Sequence, residues 1–157
     1  MQELMEMRAL METGRYADAL VLLGEMDEMA KDDKIHKLES YLHIVLLHLI
    51  KQQAEERNTR LWSHAIRQAV YGARRCLIER QTGRFYLTEV EIQDAIAEIF
   101  DCALGSASLE VFEGMLSERK LLTLINPTQV QAEALRRVIS PQKDDDNLDF
   151  DLPQWLK

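Results

Sequence analysis

The chain has 157 residues, of which 46% are hydrophobic and 29% are charged, and its formal net charge is −8. This length fits a single domain with a buried core, and six glycines with three prolines are too few for a turn-rich all-β fold. The sequence therefore predicts an all-α protein, a single-domain helical bundle of about six helices over residues 1–140, followed by an acidic, aromatic-containing tail over residues 141–157.

The sequence argues against a membrane-spanning or a secreted protein. The longest apolar run, residues 44–50, contains His48 and is too short to span a bilayer, and the N-terminus has no basic region followed by an apolar stretch. Cys76 and Cys102 form no Cys-x-x-Cys pair, so neither a disulfide framework nor a thiolate zinc site is expected. We predict a cytoplasmic protein without membrane contact and with two buried thiols.

The charges fall into three blocks along the chain. Residues 1–56 carry 12 acids and 6 bases, residues 57–84 carry 1 acid and 7 bases, and residues 85–157 carry 14 acids and 6 bases. Local potential decides what a surface attracts, so the basic middle block indicates function better than the net charge does.

The N-terminal region predicts a helical hairpin. Apolar residues recur at helical spacing up to Met11, Gly14 interrupts the pattern, and Tyr16 restarts it toward residue 30. Six of the seven methionines lie in the first 29 residues. Flexible thioether side chains fill gaps in a core or form an adaptable partner-binding face, and we favour the core interpretation.

A third helix is predicted from about residue 34 to residue 53, and it forms a long central antiparallel hairpin with the fourth. His48 lies beside the apolar stripe of the third helix, which predicts a histidine at the edge of the core with a hydrogen-bond partner. His36 and His43 lie nearly opposite that stripe, with Glu39 between them in the sequence. They are weak candidates for a metal site, because the two histidines are two helical turns apart and no His-Glu-x-x-His is present. We predict no metal and no cofactor.

A line of basic residues follows the fourth predicted helix. These residues recur in steps of three and four, which places them on one side of a helix. Guanidinium groups at this spacing suit phosphates or carboxylates, and an interleaved tyrosine suits stacking on a base. The predicted anion-binding or partner-binding residues are Arg57, Arg60, His64, Arg67, Tyr71, Arg74 and Arg75.

Two acidic segments offer partners for this line within the chain or between protomers. One is an aromatic-containing stretch of the tail, and the other follows helical spacing on the fifth predicted helix. The tail residues are Asp144, Asp145, Asp146, Asp149, Phe150, Asp151, Trp155 and Leu156, and the helix residues are Glu91, Asp94, Glu98 and Asp101.

The C-terminal half predicts three more helices. Thr88 with Glu91 forms a capping box for the fifth helix. Glycine and serine at residues 105–108 predict a break, Leu109 opens a further helix, and Asn126 followed by proline starts the last one. The chain contains no Gly-rich phosphate loop, no Rossmann fingerprint and no nucleophile elbow, so we predict no catalytic residues.

Three stretches, "GRYADAL", "LESYLHIVLLHLIK" and "RNTRLWSHAIRQAV", resemble the cyanobacterial family of hypothetical proteins called domain of unknown function twenty-nine. The resemblance covers roughly residues 10 to 80, while "LVLLGEMDE" and Gln52 depart from the family pattern. It implies an all-helical cytoplasmic protein without established activity, and it directs attention to His48 and Trp62. The matching positions are Gly14, Arg15, Tyr16, Leu46, His48, Leu49, Ile50, Lys51, Arg57, Arg60, Trp62, Ala65 and Ile66.

These observations predict a non-catalytic interaction module that self-associates, as a homo-oligomer, or binds a protein partner through the arginine-lined face. The alternative is a protein that binds nucleic acid or phosphate through the same face, which the net charge of −8 disfavours. A metal-dependent enzyme is the third and least favoured interpretation.

Overall fold

A computed structural model describes residues 1–140 and 153–156 as helices joined by short turns. No β-strand occurs in this part of the chain, where Ile78 and Phe85 form one isolated antiparallel bridge. The predicted all-α helical bundle is therefore confirmed. Its helices are α1 (Gln2–Glu12), α2 (Tyr16–Glu55), α3 (Arg60–Leu77), α4 (Glu89–Glu110), α5 (Glu118–Leu124) and α6 (Pro127–Ile139), with short 3-10 turns at Val111–Gly114 and Gln154–Leu156.

The chain divides into two compact units, Met1–His36 and Lys37–Lys157. The first unit consists of α1 and the beginning of α2, joined by the predicted turn at Gly14, whose φ of 75° is the left-handed conformation that glycine adopts readily. The proposed boundary between a bundle and a tail near residue 140 stays a prediction, because residues 141–152 lie outside the described part of the chain.

The second and third predicted helices are one continuous helix. The predicted break between residues 30 and 34 was wrong, since α2 runs without interruption from Tyr16 to Glu55. The sequence there, "AKDDK", contains no glycine or proline. An aspartate inside a helix costs only a fraction of a kcal/mol relative to alanine, about 0.7 kcal/mol at most, so nothing in this stretch ends the helix.

The core of the second unit is built from buried residues of α2, α3, α4 and α6, and α2 packs directly against α3. Tyr41 lies against Gly72, and Lys51 lies against Trp62, so a residue later in α2 contacts a residue earlier in α3. The two helices therefore run antiparallel. The predicted central antiparallel hairpin is thus confirmed. Six positions of α3 recur at helical spacing and are all buried, as their pattern predicts: Trp62, Ile66, Ala69, Val70, Ala73 and Leu77.

Helix α4 begins at the predicted capping box. Thr88 accepts a hydrogen bond from the backbone N–H of Glu91, and the Glu91 carboxylate accepts one from the backbone N–H of Thr88. The predicted break at residues 105–108 was wrong, because the Ser108 hydroxyl donates to the carbonyl of Gly105 within the helix, at 2.7 Å, and the helix continues to Glu110.

The segment after α4 also differs from its prediction. Instead of a helix opening at Leu109, the chain forms a 3-10 turn in which Phe112, Glu113 and Gly114 all have positive φ, and α5 begins only after Ser117. The Ser117 hydroxyl accepts a hydrogen bond from the backbone of Lys120, which supplies the helix cap.

Helix α6 begins after the predicted cap at Asn126 and carries a buried ion pair. Glu133 and Arg137 are 8% and 7% exposed, and Arg137 Nε donates to Glu133 Oε1 at 2.9 Å. Burial by itself would raise the pKa of Glu133, but the hydrogen bonds and charges of Arg136 and Arg137 outweigh it and lower the pKa below its ordinary value. The pair keeps a carboxylate charged within the packed side of α6.

Arg74 fastens α3 to the end of α6. Its Nη1 atom donates hydrogen bonds to the backbone carbonyls of Val138 and Ser140, at 2.6 and 2.5 Å. Carbonyl groups in the last turn of a helix have no partner inside the helix, so a cation is a favourable ligand for them.

The expectations about membrane-spanning helices and about buried cysteines have different outcomes. Within the described residues, none of the helices combines the length and the apolar character needed to cross a membrane. The prediction of two buried thiols was wrong for Cys102, which is exposed on α4, while Cys76 is partly buried.

We expect Gly72→Ala to lower the free energy of unfolding by about 1–3 kcal/mol, because the new methyl group overpacks the contact between α2 and α3. A Cβ atom at Gly72 would lie 2.7 Å from Cδ1 and Cζ of the Tyr41 ring. Gly24 is the matched control, since it is also helical and nothing lies within 4 Å of its Cβ position. Urea titration should show an unchanged or higher midpoint for Gly24→Ala, and equal behaviour of both variants would contradict the packing described.

Candidate functional site: a basic helix face and a buried polar cluster

Helix α3 presents basic and aromatic side chains to solvent. Arg60, His64, Tyr71 and Arg75 are exposed, and the helix contains no aspartate or glutamate. At about 100° per residue, these four positions fall within about 60° of one another around the helix. The Arg75 guanidinium lies 5.8 Å from the centroid of the Tyr71 ring, a cation–π distance. We call these four residues the basic face.

The other arginines of the predicted line have different surroundings. Arg57 precedes α3, and its Nη2 atom lies 3.1 Å from Oε1 of Glu55 while its guanidinium lies 4.7 Å from the centroid of the Trp62 ring. Arg74 is bonded to the end of α6, and burial lowers its pKa. Arg67 is partly buried. The structure thus places the seven predicted residues along one helix and its N-terminal approach, with the four residues of the basic face exposed.

The predicted acidic partners fall partly within the described chain. On α4, Asp94, Glu98 and Asp101 are exposed, while Glu91 is part of the capping box. The predicted pairing of the tail stays a prediction, since most of its residues lie outside the described part. Those outside are Asp144, Asp145, Asp146, Asp149, Phe150 and Asp151, whereas Trp155 and Leu156 are partly buried beside the buried Pro153.

A buried lysine lies where α2 meets α3 and the end of α4. Lys51 is only 8% exposed, and its Nζ atom lies 4.9 Å from the centroid of the Trp62 ring and 3.7 Å from Oε1 of Glu110. A buried ammonium group needs such partners, because loss of its hydration is costly. The buried ring of Trp62 therefore makes cation–π contacts with both Lys51 and Arg57.

A chain of amide and hydroxyl groups continues this cluster. Gln52 is 1% exposed and donates from Nε2 to Oδ1 of Asn58 at 2.7 Å, and Asn58 donates from Nδ2 to the Ser63 hydroxyl at 2.6 Å. Oε1 of Gln52 is buried and has no hydrogen-bond partner among the described groups. We call His48, Lys51, Gln52, Asn58, Trp62, Ser63 and Glu110 the polar cluster.

His48 is the titratable member of the polar cluster. Its pKa is lowered mainly by burial and further by the charge of Lys51, while the carboxylate of Glu110 acts in the opposite direction. The predicted position at the edge of the core agrees with its partial burial. Nδ1 of His48 is buried and has no hydrogen-bond partner among the described groups, so the expected partner of this imidazole stays a prediction.

The weak metal candidates lie along α2. His36 is exposed, and Glu39 and His43 are partly buried. Across residues 1–140 and 153–156, no three histidine, cysteine, aspartate or glutamate side chains are grouped so that they could hold one metal ion.

Sequence reasoning identified His48 and Trp62 but missed the polar residues around them. Gln52 lies seven residues after Val45, on the apolar stripe of the helix, and that spacing could have indicated a buried amide. Lys51 and Glu110 are distant in the sequence and meet only in the folded protein, where the ends of α2 and α4 come together. No local pattern signals that contact.

We expect stability to fall as the pH decreases through the ordinary histidine range, because the unfolded chain protonates His48 near its unperturbed pKa of about 6.5 while the folded protein does so only at lower pH. Between about pH 7.5 and 5.5, the His48→Leu variant should therefore lose less stability than the unchanged protein. Urea titration at both pH values measures this difference.

The matched control is His64→Leu, which removes an exposed imidazole from α3. Its pH profile is measured beside that of His48→Leu. Glu133, whose pKa is lowered below its ordinary value, affects stability only at more acidic pH. Identical pH profiles for all three proteins would show that His48 is not the group responsible.

Comparison with known proteins places the chain in a family but assigns no activity. No curated protein and no solved structure matches it. The profile of the family described as Domain of unknown function DUF29 matches residues 6–123, which is well over half of the chain and includes both the basic face and the polar cluster. The chain therefore belongs to the DUF29 family.

Proposed function

We propose that the protein is a non-catalytic interaction module whose basic face binds an acidic segment of a protein, either of a separate partner or of a second copy of this chain. The observation that carries this proposal is the composition of α3, which exposes Arg60, His64, Tyr71 and Arg75 and contains no acidic residue. In a protein of net charge −8, such a helix is a local concentration of positive potential.

The basic face combines two features that suit an acidic, aromatic-containing peptide. Guanidinium groups bind carboxylates through paired hydrogen bonds, and Arg60 and Arg75 are separated by about four helical turns, or about 22 Å. Tyr71 lies between them, with Arg75 against its ring, and offers a flat surface for an apolar side chain. An extended peptide of about seven residues spans that distance.

An acidic protein segment is favoured over nucleic acid by the charge of the whole molecule. Non-specific binding of a polyphosphate needs many cationic contacts, whereas the rest of the chain is acidic and repels it. A nucleic-acid or phosphate-binding protein that uses the same face is the second candidate, because an exposed tyrosine between arginines also suits a stacked base. The exposed thiol of Cys102 fits a reducing compartment, and we propose a cytoplasmic location.

We expect the Arg60→Ala/Arg75→Ala double variant to bind an acidic peptide at least ~10-fold more weakly than the unchanged protein, because charge-assisted hydrogen bonds are lost. The probe is a labelled peptide with the sequence of residues 143–157, "KDDDNLDFDLPQWLK". Fluorescence anisotropy with the full chain measures the affinity at low and moderate salt.

The control is Arg80→Ala/Arg84→Ala, which removes the same charge from two exposed arginines outside the basic face. Equal affinity of the two double variants for the peptide would contradict the proposal. A single-stranded oligonucleotide is the second probe. If it binds more tightly than the peptide, loses affinity steeply with salt and depends on Arg60 and Arg75, the second candidate replaces the first.

A further inference from the structure

The N-terminal unit has almost no buried core of its own. Among residues 1–36, Ala19 is buried, whereas helix α1 has no buried residue. Chains shorter than about 40 residues rarely fold on their own without a disulfide, a metal or an oligomeric partner. Two helices in this unit therefore leave most of their apolar surface exposed.

The residues between the two helices identify which side of each helix faces the other. Among residues 1–30, the partly buried apolar residues besides Ala19 are Met7 and Leu10 on α1 and Leu22 and Met26 on α2. On each helix these positions fall within about 60° of one another, as expected for a single line of contact between two helices.

Further apolar side chains lie beside this line of contact on both helices. On α1, Leu4 and Met11 are seven residues apart and share one side. On α2, Tyr16, Leu20 and Leu23 also share one side of the helix. All five residues are more than half exposed. We call these five residues the hairpin face.

The hairpin face is continuous across both helices. On α1, Leu4 and Met11 lie about 80° around the helix from the line of contact, measured in the direction in which a right-handed helix turns. On α2, Tyr16, Leu20 and Leu23 are displaced from the line of contact by a similar angle in the same direction. Because α1 and the beginning of α2 run in opposite directions about the turn at Gly14, the same rotational sense on both helices leads to the same side of the hairpin.

Four of the nine acidic residues of the hairpin lie opposite this face. Residues 1–36 contain nine acids and four bases. By the same angles, Glu6, Asp18, Glu25 and Asp32 lie on the opposite side of the hairpin. The exposed charges that fall among the apolar residues of the hairpin face include one of each sign, Arg8 on α1 and Asp27 on α2.

We propose that the hairpin face is a dimer interface, in which a second copy of the same hairpin packs face to face about a two-fold axis to complete a four-helix bundle. Two antiparallel helices with one apolar side are half of such a bundle, and a two-fold axis makes the surface its own complement. Arg8 and Asp27 add one charge of each sign to this interface, and the acids on the opposite side of the hairpin do not meet.

The apolar area agrees with a second copy as the occupant. Full burial of a Leu or Met side chain removes on the order of 100 Å² from water, so the five residues from each copy bury about 1,000 Å² in total. Specific protein interfaces begin near that value. This interface uses residues different from those of the basic face, and it does not depend on the function proposed for that face.

The test compares the variants Leu20→Glu and Val21→Glu by light-scattering chromatography of the full chain. Leu20 and Val21 are 68% and 64% exposed, but Val21 points to the other side of the hairpin. The unchanged protein and Val21→Glu should elute at twice the 18.2 kDa mass of the chain, and Leu20→Glu at a single mass. The dimer dissociation constant of Leu20→Glu should rise at least ~100-fold, because an unpaired carboxylate is buried in the interface.

Met11→Glu places the same charge on the other helix of the hairpin face and should act like Leu20→Glu. Circular dichroism establishes whether each variant is folded, and these substituted positions are exposed, so the helices should persist. A monomeric unchanged protein, a dimer that survives both Leu20→Glu and Met11→Glu, or a dimer that Val21→Glu disrupts equally would each overturn the proposal.

The same samples separate this proposal from the one made for the basic face. Leu20→Glu should bind the acidic peptide as the unchanged protein does, and Arg60→Ala/Arg75→Ala should remain dimeric. If the unchanged protein forms the dimer but does not bind the peptide, the basic face was assigned wrongly. If it binds the peptide but stays monomeric, the hairpin face was assigned wrongly.

Discussion

The packing of α2 against α3 is the constraint on which the second unit depends. Tyr41 fits against Gly72 at one level and Lys51 against Trp62 at another, so two contacts fix both the direction and the register of the pair. With one side of α3 buried in this way, Arg60, His64, Tyr71 and Arg75 lie on the opposite side. The basic face is thus a consequence of core packing as much as of its own residues.

The polar cluster lies at one end of the same contact, and its chemistry differs from that of the basic face. Lys51 lies against an indole ring and one carboxylate, and its charge in turn disfavours protonation of His48. Buried polar groups of this kind give little net stability, but they penalise any other register of the helices, since each group would then lose its partner. The cluster therefore defines how α2, α3 and the end of α4 meet.

The helical spacing of the apolar residues of α3 matches its buried side completely, because a core stripe is a local property that repeats every few residues. Sequence periodicity was less reliable for boundaries, as the uninterrupted α2 and the continuation of α4 past Gly105 show. It could not distinguish Arg74 from Arg75, although they are neighbours. The carbonyl groups that bind Arg74 come 64 and 66 residues later in the chain, and no local pattern contains that information.

The attachment of Arg74 to Ser140 fixes the point from which the acidic C-terminal residues depart. Ser140 is held against α3 by Arg74, and the first of the aspartates follows only four positions later in the sequence. A segment joined by so short a connection has an effective concentration on the order of millimolar near its attachment point. If this acidic segment binds α3 as proposed, an external acidic ligand has to compete with a tethered one, which sets a threshold of affinity below which partners are excluded.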